Sequence, residues 1–344
     1  GISYENEPII KSDGAGSVTQ WDNSNADAGE GIYFVEGGSA GDPLRLGIGV
    51  AAPTVELDVA GSIKATGGVT LGSLDIGHGL GGDVQSTAVG TDALDASHSG
   101  SIHNTAVGHD ALTALNADAA DYNTVVGSGA GAAITSGNNN TAIGALALDA
   151  CTGGLENTAV GSAALGAACG NSNVAIGRET LLAFTGSNAT AIGANAADAA
   201  IACADLTAVG KNALGALSHA DSEQNTAVGS AAAAALVGAS GAGKWNTVLG
   251  AYALTSSVDG TGNTAIGRAA LYGGDCANDN TAVGASALNV FTGSYAVAVG
   301  SGAAVAATGA ANLTAVGKDA LGTCIGGASN TAVGVSALGG TDDG

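Results

Sequence analysis

Residues 104–112 read N-T-A-V-G-H-D-A-L, and residues 157–165 read N-T-A-V-G-S-A-A-L. The same nine-residue phrase recurs along three quarters of the chain. Its glycine falls at Gly90, Gly108, Gly127, Gly144, Gly161, Gly177, Gly193, Gly210, Gly229, Gly250, Gly267, Gly284, Gly300, Gly317 and Gly334. Those fifteen copies are 16 to 21 residues apart, most often 17. A fixed period of this size marks a stack in which each copy buries its apolar surface only against its neighbours. The expected fold is therefore all-β, a parallel β-roll or β-solenoid of about 15 coils with a 17-residue period.

Substitutions between copies test each position of the phrase. The second position is Thr in 13 copies and Val at Val174 and Val297; the third is Ala in 13 and Val at Val125 and Val248. The fourth is always Val, Ile or Leu. Thr and Val share a β-branched shape that suits strands. Alternate strand residues share a face, so the second and fourth positions go together. That face is expected to look into the coil, with the small Ala face outward, where another backbone can approach closely. Leu stands four residues after the glycine in 11 copies and is expected to close the core from a second short strand. Asn leads 10 copies, a pattern that suits a stacked amide ladder. Length variation falls almost wholly in the linkers after the Leu, which is where recognition can vary without disturbing the stack.

Composition agrees with a thin rod. The 344 residues include 59 Gly and 46% hydrophobic side chains but only 3% aromatics, too few for one bulky core. Eight Lys and Arg against 30 Asp and Glu give a net charge of −22. Nucleic acid, which needs a basic footprint, is excluded as a partner. No run approaches the roughly 18 apolar residues of a membrane span, so no membrane insertion is expected. No cofactor is expected either, with calcium in the acidic linkers as the alternative to plain solubility.

Few residues suggest chemistry. No nucleophile elbow with triad partners occurs, so no enzyme is expected and no catalytic residue is assigned. His98, His103 and His109 cluster near the first coils and are read as solvent-facing, so no metal site is assigned. The five cysteines contain no C-x-x-C pair; Cys151 and Cys169, in successive linkers, are the candidate disulfide. Tyr122, Trp245 and Tyr295 each lie five residues before a register glycine, and Phe184 and Phe291 each lie seven after one. On a rod, recurrent phase is recurrent position. The first three are therefore candidate glycan-stacking residues, packing against a coil edge or neighbouring subunit being the alternative.

The phrase resembles the N-S-V-A-I-G coils in the heads of trimeric autotransporter adhesins; SNVAIG (172–177) and YAVAVG (295–300) come closest. Arrays of NTA[VI]G…AL are similar to those in tail fibres of phages and algal viruses, and RLGIGVAAPTVELDVAGSIKATG (45–67) looks like a connector of such fibres. The resemblance implies a homotrimer about one axis, with a single-chain solenoid as the alternative. It also implies a structural and adhesive role at a virion surface, with attachment proteins and a host glycan or receptor as partners. The alternative is a bacterial cell-surface adhesin or extracellular filament component; a glycan depolymerase or an ice-binding solenoid lies further off. The expected division is an N-terminal cap or attachment module (1–44), a β-rich connector (45–79) and the rod (80–344).

Overall fold

A computed structural model describes residues 85–95, 101–115, 120–219, 222–238, 242–324 and 327–340, with the backbone of five upstream strands. The chain forms two compact units, Gly1–Leu74 and Asp75–Gly344. In the first, β1 (Ile10–Lys11), β2 (Val18–Trp21), β3 (Ile32–Val35), β4 (Arg45–Ile48) and β5 (Leu57–Val59) form one sheet in sequence order. The β1–β4 pairings are antiparallel, and β4 pairs with β5 in parallel. Strands from the stretches 1–44 and 45–79 thus share a sheet.

The second unit is the β-solenoid that the period predicts. Fifteen three-residue strands, from β6 (Thr87–Val89) to β20 (Thr331–Val333), form one parallel sheet in strict chain order. Register is one-to-one: Thr158 pairs with Val174, Ala159 with Ala175, and Val160 with Ile176. Each strand is the T-A-V segment of the phrase, favoured by its β-branched ends and stopped by the glycine.

The faces are the reverse of the sequence expectation. The third-position residue is the buried one: Ala106, Ala142, Ala159, Ala175, Ala191 and Ala208 are fully buried, while their Thr and Val or Ile neighbours are half-buried or exposed. The cause is the width of the coil. A three-residue strand turns one side chain one way and two the other, and the thin interior, already filled by Leu, has room for a methyl. Three departures show the volume limit, while Val248, in a coil that keeps Leu254, has no such compensation within its own coil. Val125 replaces Ala where Gly131 replaces the coil's Leu, and a Cβ on Gly131 would lie 3.3 Å from Val125 Cγ2. Phe184 and Phe291 are fully buried, and the next coil in each case carries Ala197 or Ala304 in place of Leu.

A second expectation is also corrected. Leu94, Leu112, Leu148, Leu165, Leu181 and Leu214 are fully buried and close the core, but from turns; no second regular strand occurs in each coil among the described residues. These leucines have φ near +50, as in Leu112 (φ 54) and Leu214 (φ 52). The residues two after each register glycine, and those five before each from Gly108 onward, are left-handed too, as in Asp110 (φ 55) and Tyr122 (φ 58). That geometry costs an L-residue about 1–2 kcal/mol. It is offset because it aims each N–H along the rod: Leu112 N donates to Ala130 O (3.0 Å) and Asp110 N to Thr91 O (3.1 Å).

The Asn ladder forms inside the coil. Asn140 N and Nδ2 both donate to Asn123 Oδ1 at 3.0 Å, and Asn140 Nδ2 also donates to Gly154 O at 2.8 Å. One run covers Asn104 to Asn173 and ends where Ala189 N donates to Asn173 Oδ1. A second covers Asn225 to Asn280 and ends at Ala296 N. Leu206 and Leu313 stand at this position elsewhere, so the shape accepts an apolar residue. Asn157→Leu should cost roughly 1–3 kcal/mol, from the donor lost to Gly170 O and the acceptor lost to Asn173 N. Asn157→Asp should cost more, because a buried carboxylate would face Gly170 O without a proton to donate. Melting temperatures in the order wild type, Leu, Asp are the expected reading; Asp equal to wild type would contradict it.

Candidate surface sites

Three longitudinal columns of side chains reach solvent on the rod. The first is the Thr-x-Val face. Its fourth-position column leaves large aliphatics uncovered, with Ile143 at 41%, Leu249 at 49% and Val299 at 39% exposure. Thr stands outward beside it in thirteen of fifteen rungs. The Ala face, expected to point outward where another backbone could approach closely, is inside and unavailable as an intersubunit seam.

The second column lies five residues before each register glycine. Here Tyr122, Trp245 and Tyr295 are the most exposed aromatics among the described residues, at 56%, 57% and 59%. Left-handed backbone projects each from the coil corner. The Tyr122 ring stacks on His103, centroids 4.9 Å apart, so one of its faces is covered. Trp245 Nε1 donates to Gln224 Oε1 at 3.1 Å, and Lys244 Nζ lies 5.2 Å from the Trp245 ring centroid. Phe184 and Phe291, which share a phase of their own, are core residues; the Phe184 ring crowds Gly186, where a Cβ would come within 2.7 Å of its Cζ, while at Gly293 the Ala310 carbonyl oxygen is the nearer obstacle and the Phe291 Cζ follows at 2.8 Å.

The third column follows the register glycine directly. It holds Arg178, Lys211, Arg268 and Lys318, and next to it lie Glu179 and Asp319. Arg178 pairs with Glu179 (2.5 Å) and Lys318 with Asp319 (2.6 Å). Sequence reading missed this column, although counting cations by phase would have found it.

The histidines do not converge. His98 lies outside the described residues, His103 stacks on Tyr122, and His109 Nδ1 pairs with Asp110 Oδ2 at 2.9 Å. Asp92, His109 and Asp110 do offer ligand atoms within 4.8 Å of one another, on an exposed surface. Cys151 and Cys169 are joined as a disulfide, Cα atoms 5.2 Å apart, stapling two successive coils. Cys203, Cys276 and Cys324 are free and buried. Burial pushes the Cys203 thiol up and the Cys276 thiol up to about 11. Both should therefore resist iodoacetamide in the folded chain at about pH 8 and react once guanidinium opens the coils. Fast alkylation of Cys276 in the native chain would contradict this placement.

No helix among the described residues is long and apolar enough to cross a membrane. Comparison with protein-family models, curated proteins and solved structures finds no match to this chain.

Proposed function

We propose that the chain is the repeat shaft of a homotrimeric fibre at a virion surface, structural and adhesive in role and not catalytic. The observation that carries this reading is the uncovered Thr-x-Val face. A column of Val, Ile and Leu running the length of a fifteen-strand sheet is a continuous apolar strip on an otherwise acidic, soluble rod. At ~4.8 Å per rung and ~3.3 Å per residue the whole face, threonine and aliphatic columns together, measures about 70 by 10 Å, roughly 700 Å². That approaches the ~800 Å² that each partner contributes to a stable interface, and a contiguous exposed aliphatic column along such a face marks an interaction surface. Three copies facing inward about an axis parallel to the rod would cover it. The resemblance to fibre and adhesin repeats points to the same assembly, with the seam moved from the Ala face to the Thr-x-Val face. The exposed aromatics and variable linkers then face outward, placed to meet host-surface glycans.

An antibody raised against the rod tests the location. Labelling of fibres on virus particles in the source sample is the expected result. Labelling confined to bacterial surfaces would move the chain to the adhesin or extracellular-filament alternative. One observation favours a second reading: thirteen threonines stand outward in register on a regular lattice. A monomer that halts ice recrystallisation would transfer the face to an ordered surface instead of a second chain.

A further inference from the structure

Four successive rungs of the aromatic column read Trp245, Gly262, Asp279 and Tyr295. They are truly stacked. Gly262 N donates to Lys244 O (2.9 Å), Asp279 N to Thr261 O (2.9 Å) and Tyr295 N to Asn278 O (3.1 Å). Gly262 is the one glycine among the fifteen residues of this column, so the rung beside Trp245 carries no side chain. A Cβ there would lie 2.5 Å from Asp279 Oδ1, so the carboxylate reaches back over the bare rung. Beside these rungs opens a cleft of about 420 Å³ lined by Asp259, Thr261, Asp275 and Asn278; Thr261 and Asn278 are the chain neighbours of Gly262 and Asp279.

We infer that this notch and cleft bind an uncharged oligosaccharide. An exposed indole gives an apolar plate for a pyranose face. The bare rung lets the Asp279 carboxylate lean back towards the indole, and Asp279, Thr261 and Asn278 supply hydrogen-bonding groups for the hydroxyls of a ring stacked on Trp245. Tyr295, three rungs or about 14 Å from Trp245 at strand spacing, is a second plate, so the site suits a chain of several sugars. Three carboxylates, on Asp259, Asp275 and Asp279, outweigh the single ammonium of Lys244 over one face of the Trp245 ring, so the net negative site favours a neutral sugar over an anionic one. The inference rests on the fibre reading only for which surface the rod is brought to.

Tryptophan emission of the intact chain tests it, with cellohexaose, mannohexaose and N-acetylchitohexaose as neutral probes and hexagalacturonate as the anionic one. Each variant borrows a residue that other coils already carry in this column, so the coil should fold: Trp245→Ser as at Ser172, and Gly262→Asn and Asp279→Asn as at Asn139 and Asn188. A saturable shift with at least one neutral probe is expected, with hexagalacturonate and the Gly262→Asn chain each at least about tenfold weaker. Trp245→Ser, which removes the reporting indole and is therefore read by titration calorimetry, should lose the binding heat, and Asp279→Asn should weaken the emission shift without changing the melting temperature. No shift with any neutral probe at about 10 mM, or equal binding by Gly262→Asn, would overturn the site. The fibre reading fails separately. A monomer that binds a neutral probe keeps the site and loses the fibre. A trimer that shields Trp245 from acrylamide keeps the fibre and loses the site.

Discussion

Gly250→Ala is expected to destabilise the rod by about 4 kcal/mol, the sum of backbone strain and steric overlap. Gly250 has φ +145, a region that L side chains avoid, and an added Cβ would lie 2.5 Å from the carbonyl oxygen of Gly267 and 2.6 Å from its carbonyl carbon. Neither backbone can retreat. Gly250 N is held by Val228 O at 2.8 Å, and Gly267 N by Leu249 O at 2.8 Å. Gly309→Ala is the matched control: its φ is +68, but nothing lies within 4 Å of its Cβ position. Only the left-handed penalty of about 1 kcal/mol applies there. Thermal melts of the two variants should differ several-fold in their shift from wild type. A Gly250→Ala melt matching that of Gly309→Ala would mean that the coils are not stacked glycine on glycine.

Ile176→Lys combined with Ile192→Lys is expected to break assembly while leaving the coil folded. Both side chains are 38% exposed on the Thr-x-Val face in successive rungs. In one chain they meet water, and exposed substitutions of this kind change stability by about 0.5 kcal/mol or less. Around a three-fold axis each rung would gather three ammonium groups without counter-ions, at a cost on the order of 3 kcal/mol or more. Sedimentation velocity should show dissociated chains with an unchanged circular-dichroism spectrum. Ala191→Leu should do the opposite, destabilising the coil by about 1–3 kcal/mol through overpacking of the interior. The reverse pattern would restore the Ala face as the seam.

These two experiments bear on the part of the structure that was hardest to read. The period, the strand segment of the phrase and the Asn ladder were all legible, because each repeats at fixed phase and has one physical use. The hand of the face was not. A Thr-x-Val pair satisfies strand preference whichever way it points, and an inward Ala looks like a spacer until the coil's width is known. The clue lay in compensation: Val125 coincides with Gly131, and Ala197 and Ala304 follow the coils that hold Phe184 and Phe291. Those pairs have to share one interior. The left-handed leucines were invisible for another reason, since Leu has no local preference for that region and takes it only under tertiary constraint. In the candidate site, Trp245 and Tyr295 stood out by phase. The meaning of Gly262 emerged only when stacking placed it beside them and under Asp279.

Multi-angle light scattering of the reduced, unmodified chain is the most direct test of the covered Thr-x-Val face. A mass of three times 32.1 kDa is the expected result. A mass of 32.1 kDa at micromolar concentration would leave the aliphatic column in water and contradict the trimeric fibre.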